Sequence, residues 1–179
     1  MDKPPIKNSY PVHLGLRIFA GEYPGAKDEE TCHKKLLGTT YWSSIKYFYD
    51  LTCEGEFQPY AQYLNESQQH RRFPIPDCGI PASTTEVAQI CMEITSGCEE
   101  QAGKYIHCWG GVGRTGTIVA CLYAYLMKGT GLNADEMYSK AMQQLKESFS
   151  KCPKSTNRVS PENDLQRNFV RRFIENECV

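Results

Sequence analysis

The stretch YIHCWGGVGRTGT, residues 105–117, sets Cys108 six positions before Arg114, with only Trp109, Gly110, Gly111, Val112 and Gly113 between them. A glycine-rich turn that leaves a strand and enters a helix gathers backbone N–H groups and the positive end of the helix dipole on one spot. Such a spot binds anions, and Gly110, Gly111 and Gly113 let the backbone close around a tetrahedral one without Cβ clashes. Phosphate is the natural occupant. The G-x-x-x-x-G-K-[ST] pattern of nucleotide-binding loops is absent, and the residue at the floor of the cradle is Cys108. A cysteine at a helix N-terminus or near cations has its pKa lowered from about 8.5 to roughly 3.5–7.5, so Cys108 reads as a nucleophile. Arg114 offers two parallel N–H donors to two phosphate oxygens and compensates charge in the transition state. Thr115 can give its hydroxyl to the departing thiolate. His107 reads as a residue that holds the loop and tunes the thiolate by hydrogen bonds, and a buried structural histidine fits the same position.

Spacing alone is a weak signal, because the chain repeats it in CPKSTNR, where Cys152 precedes Arg158. That second pair has Pro153 after the cysteine, no glycine, and neither a strand before it nor an apolar helix after it. Displacing an alkoxide or phenoxide from phosphorus also needs a proton donor. Asp77, in the loop FPIPDCGIP (73–81), is the best candidate, although PDCG is ordinary turn chemistry as well.

These groups need a scaffold. LRIFAGEYPG (16–25) reads as a strand ending in a turn, AKDEETCHKKLL (26–37) as a helix, KYFYDL (46–51) and HRRFPI (70–75) as two further strands. Ser83 with Glu86 forms a capping box, followed by Val87, Ile90, Cys91, Ile94 and Cys98 at helical spacing. KYIH is a short strand before the signature turn, and a helix apolar nearly all round follows from about Thr115 to Met127. Asn133 and Glu136 start another helix, with Met137, Ala141 and Leu145 as its stripe. Ser160 as N-cap and Pro161 at the first helical position start the last one, whose apolar face is Leu165, Phe169, Val170, Phe173 and Ile174. Strands alternating with helices predict an α/β fold, a central mostly parallel sheet flanked by helices, in one domain over residues 1–179.

Lys and Arg number 20 against 21 Asp and Glu, a balance that gives no long-range pull toward nucleic acid or a membrane surface. The N-terminus lacks a secretory pattern, and no apolar run reaches spanning length. Nine cysteines without a C-x-x-C pair or zinc-ligand spacing predict free thiols in a reducing cytoplasm, with no metal and no cofactor. His13, His33 and His70 read as surface residues.

HCWGGVGRTG resembles the H-C-x5-R-[ST] signature of the cysteine-based protein tyrosine phosphatases, in the dual-specificity-like branch. Within it the loop is similar to the cyclin-dependent-kinase-associated phosphatase, and AGEYPG and SPEND are similar to compact bacterial tyrosine phosphatases. FPIPDCGIP is similar to the family's mobile general-acid loop and SPENDLQRNF to the late segment that orients water. The resemblance implies the phosphatase fold and a two-step reaction through a phosphocysteine, with Cys108, Arg114, Asp77, Thr115 and His107 as catalytic residues. Residues 109–114 would bind the phosphoryl group. Gln166 stands at the family's second glutamine and Glu162 at its first, leaving open which orients water. Glu54 and Glu56 lie in a loop that the family often places near the signature arginine. Cys53 stands where some relatives carry a thiol able to form a protective disulfide with the nucleophile. The substrate implied is a phosphotyrosine protein or peptide, with phosphoserine and phosphothreonine left open. Arg71 and Arg72 either greet an acidic peptide or form a solvated strand edge. A neutral loop argues against inositol phosphates and the RNA 5′ end, and the full residue set against a binding module without turnover.

Overall fold

The computed structural model describes residues 6–37, 40–96 and 102–179. Five strands, β1 (Ser9–His13), β2 (Ile18–Gly21), β3 (Ile45–Asp50), β4 (Gln69–Arg72) and β5 (Gly103–His107), form one sheet in the order β1-β2-β5-β3-β4. Only β1 runs antiparallel to its neighbour; β2, β5, β3 and β4 pair in parallel, which is the expected α/β sheet. Helices α1 (Glu29–Leu37), α2 (Thr84–Ser96), α3 (Gly113–Leu126), α4 (Ala134–Phe149) and α5 (Asp164–Glu177) flank it.

β5 is central, with β2 and β3 on either side at matching register, so Ile106 pairs with Ala20 and Tyr49, and His107 with Gly21 and Asp50. Its side chains alternate between faces. Tyr105 enters an aromatic layer with Phe19, Tyr23, Trp42, Phe48 and Tyr60, whereas Ile106 enters the larger core built by α2 to α5. Parallel strands end on one edge of a sheet, and the C-terminal ends of β5 and β3 deliver His107 and Asp50 to the same spot. The chain passes from β5 through the signature turn into α3, which is buried from Gly113 to Ala124, as its apolar circumference requires.

Several boundaries differ from the sequence reading. The N-terminal strand β1, Ser9–His13, has no counterpart among the strands legible in the sequence. It carries Pro11 and lies at the sheet edge, where a missing N–H is tolerated. The strands read at 16–25 and 70–75 shorten to Ile18–Gly21 and Gln69–Arg72, and the helix read from 26 starts at Glu29 behind Asp28, whose Oδ1 accepts the Thr31 N–H. Asn133 and Glu136 form the full reciprocal capping box. Ser160 and Pro161 do not start the last helix: Asn163 caps α5, its side chain accepting the Gln166 N–H, while the Ser160 hydroxyl donates to the Val112 carbonyl. Consequently Leu165 is exposed at 65%, because the first turn of α5 overhangs the signature and acid loops, where buried Gln166 is the inward residue. Cys98 lies outside the described residues, as does the His33 side chain.

Candidate active site

The signature turn is shaped from outside. The Trp109 carbonyl accepts the Tyr23 N–H at 2.9 Å, the Gly110 carbonyl accepts Lys154 Nζ at 2.8 Å, and the Val112 carbonyl accepts Ser160 Oγ at 2.7 Å. A trans peptide points its N–H opposite to its C=O. Drawing these carbonyls outward therefore turns the N–H groups of Gly110, Gly111 and Gly113 toward the other side, and the Gly111 N–H donates to Cys108 Sγ at 3.2 Å. Gly111 has φ +73°, and a Cβ there would collide with the backbone of Gly21 and Glu22. A Cβ on Gly113 would meet the side chains of Glu162 and Gln166. Gly110 has open space around it, so packing does not demand a glycine there.

A cavity of about 240 Å³ opens on this turn, lined by Cys108, Trp109, Arg114, Asp77, Arg158 and Glu162 among others. Larger hollows exist elsewhere on the surface, but Cys108 lines this one. Arg114, only 3% exposed, is gripped by Glu56 through two hydrogen bonds of 2.7 and 2.8 Å and donates to the Ile75 carbonyl at 3.1 Å. Burial disfavours the charged guanidinium, but the Glu56 hydrogen bonds and the negative groups around it outweigh that and raise its pKa. Burial likewise raises the Glu56 carboxyl, and Arg114 with the Cys53 N–H more than reverses the effect. Of the two acids in this loop, Glu56 reaches the arginine while Glu54 is exposed.

Asp77 comes from the loop after β4 and lies 3.0 Å from Arg114 Nη2, with its side chain 73% exposed. Two bonds from α5 hold that loop: Asn163 Nδ2 donates to the Cys78 carbonyl at 2.9 Å and Gln166 Nε2 to the Gly79 carbonyl at 3.2 Å. Gln166 is fully buried, and its Oε1 accepts the Glu162 N–H, so both ends of the amide are committed. Glu162 instead lines the cavity, with Oε1 3.3 Å from Arg158.

Behind the turn lies a buried polar cluster. The Asp50 carboxylate, fully buried, accepts from the Thr52 N–H and hydroxyl at 2.9 and 2.6 Å, His70 Nε2 at 2.9 Å and Arg72 at 3.3 Å. His107 Nε2 is 2.7 Å from the Tyr60 hydroxyl, and Nδ1 faces the Cys108 carbonyl at 3.4 Å and Asp50 Oδ1 at 3.9 Å. Two acceptors before Nδ1 assign the proton to it, so Tyr60 O–H donates to Nε2. Burial pushes the His107 pKa down to about 4 against the pull of Asp50. Burial pushes the Asp50 carboxyl up, but the His107 ring, His70 and Thr52 hold it well below the usual carboxylate range. The attraction between ring and carboxylate is fully felt only in acid, when the ring is charged; at pH 7 the hydrogen bonds keep Asp50 ionised. His70 is thus part of this cluster rather than a plain surface residue. Arg71 pairs with Glu93 and Arg72 with Asp50, so neither is a free greeting group.

Other expectations fare differently. The Thr115 hydroxyl is buried without a hydrogen-bond partner, so its donor is uncommitted in the resting site. Cys53 is half-buried beside Glu56 and does not line the cavity; the thiol-bearing neighbour of Cys108 there is Cys78. The decoy Cys152 is buried, which pushes its thiol pKa up, while its neighbour Lys154 buttresses the signature turn. Trp109 stacks on Phe57, with ring centroids 4.1 Å apart at 15°, and Lys27 Nζ stands 5.6 Å over the indole. No group of three metal-ligating side chains occurs among the described residues. Asp50, Tyr60 and Lys154 carry no local pattern that would single them out in the sequence, and the choice of Glu56 over Glu54 needed the fold.

A family model described as the DSP-PTPase phosphatase domain of Swiss Army Knife proteins matches residues 35–167. The protein 197R of Invertebrate iridescent virus 6, named for a tyrosine phosphatase, is 32% identical over 81 residues, which are 44% of this chain and 30% of the viral protein. Among solved structures, Tk-PTP in its active form superposes with a TM-score of 0.64 at 20% identity, covering 89% of this chain and 92% of that one. The kinase associated phosphatase KAP superposes with a TM-score of 0.64 at 17% identity, covering 99% of each chain.

Proposed function

The chain belongs to the dual-specificity-type protein tyrosine phosphatase family, and we propose that it is a metal-independent protein phosphatase hydrolysing phosphotyrosine through a phosphocysteine. One observation carries the reading: the thiol and guanidinium of the signature turn share one small cavity with a carboxylate from the loop after β4. In the first step Cys108 Sγ forms a bond to phosphorus as the ester P–O bond breaks. Arg114 and the inward N–H groups hold the phosphoryl oxygens, and Asp77 protonates the leaving oxygen. A phosphoryl group on Arg114 competes with Asp77 for Nη2, so substrate itself releases the acid. In the second step Asp77 takes a proton from water as oxygen bonds to phosphorus and the S–P bond breaks. Glu162, facing the cavity, orients that water, and Gln166 holds the acid loop. His107 positions the Cys108 carbonyl and with it the turn. The Trp109 face, buttressed by Phe57, suits an aryl ester at the mouth.

The test is phosphate release, with chelator present, from phosphotyrosine, phosphoserine and phosphothreonine peptides and from inositol phosphates. The expected order places phosphotyrosine first, and Cys108→Ser abolishes turnover while still binding inorganic phosphate. Turnover surviving in that variant, or a requirement for metal, would overturn the mechanism.

A further inference from the structure

A mainly apolar groove of about 450 Å³ lies between α4 and the segment after it, walled by Met142, Phe149, Arg158, Val159 and Ser160. Its size falls in the range of about 300–1,000 Å³ typical of ligand sites, whereas the catalytic cavity is smaller. Phe149 and Ser160 are buried in its floor, and the Ser160 hydroxyl is committed to the Val112 carbonyl. Val159 is an apolar residue left 72% exposed at its edge. Its floor is continuous with the core through Phe149 and Met142, and its open side is left uncovered at Val159.

Arg158 belongs to both hollows: it walls the groove and lines the catalytic cavity, where it meets Glu162. A polypeptide whose phosphorylated side chain enters the cavity and whose backbone leaves on the Arg158 side therefore runs straight over the groove. We propose that this groove is a specificity subsite that takes an apolar side chain of the substrate next to its phosphorylated tyrosine. The subsite rests on the phosphopeptide reading above. Lys146 and Arg158 on its rim add a charge preference, favouring acidic over basic residues beside the apolar one. Transferring a side chain such as leucine from water into the groove strengthens binding without touching the reacting atoms, so the effect belongs in KM rather than kcat.

The experiment uses phosphotyrosine peptides with leucine, aspartate, lysine or alanine at each flanking position in turn, and the wild-type chain beside Val159→Asp and Met142→Glu. At one flanking position leucine should lower KM about tenfold relative to aspartate, with kcat unchanged. Both variants should lose that preference while hydrolysing p-nitrophenyl phosphate at the wild-type rate. Equal KM across the series, as expected if the groove serves self-association, would overturn the inference alone. A preference that persists in both variants would do the same. Turnover of p-nitrophenyl phosphate with none of any phosphopeptide would sink the phosphopeptide reading and the subsite together.

Discussion

Replacing Glu56 with glutamine tests whether the signature arginine is aimed by its partner. The carboxylate accepts two charged hydrogen bonds from Arg114, at 2.7 and 2.8 Å, on a guanidinium only 3% exposed. Glutamine keeps one acceptor and sets an N–H₂ group against the other guanidinium nitrogen, so one charged bond is lost. A hydrogen bond to a charged group contributes about 1.5–3 kcal/mol. Were all of it felt in the transition state, kcat/KM would fall about 10- to 150-fold. The Ile75 carbonyl at 3.1 Å and Asp77 at 3.0 Å remain as partners, so the guanidinium loses one of the bonds that fix its orientation. The assay is p-nitrophenyl phosphate hydrolysis, with inhibition by inorganic phosphate as the ground-state measure and thermal melting as the folding control. Glu54→Gln, on an exposed side chain two residues earlier, should match the wild type. An E56Q variant within twofold of wild-type kcat/KM would refute the argument that this ion pair orients the arginine.

Asp77→Asn should slow phosphotyrosine peptides by about 10²–10⁴-fold and p-nitrophenyl phosphate far less, because an activated leaving group needs no proton; an equal loss on both would count against its role as acid. Stability should fall in acid through His107. Its folded pKa of about 4 lies below the unfolded value of about 6.5, so the unfolded chain binds more protons between those limits and stability drops as pH falls through that window. A displacement of this size amounts to roughly 3 kcal/mol. Urea midpoints at pH 7 and pH 4 should differ more in the wild type than in His107→Asn, and equal differences would refute the coupling.

The residue chemistry along residues 105–117, the central apolar helix after it and the Asn133 capping box are written in local patterns, and a local pattern can be read without knowing what packs against it. The decoy at Cys152 is rejected on the same local grounds, and its thiol, raised in pKa by burial, does not line the cavity that Cys108 lines. What the tertiary structure decided is everything that depends on two distant segments approaching. It chose Glu56 over Glu54 for Arg114, and it set Asp50, His70 and Tyr60 behind His107 because parallel β3 and β5 end together. It turned Lys154, from the rejected segment, into a support of the Gly110 carbonyl. It also moved the start of α5 to Asn163, whose Oδ1 accepts the Gln166 N–H as the cap, while the Ser160 hydroxyl donates to the Val112 carbonyl of the signature turn. Each of these outcomes is a competition among hydrogen-bond partners far apart in sequence, and no propensity or spacing within a short window encodes which partner will be within reach.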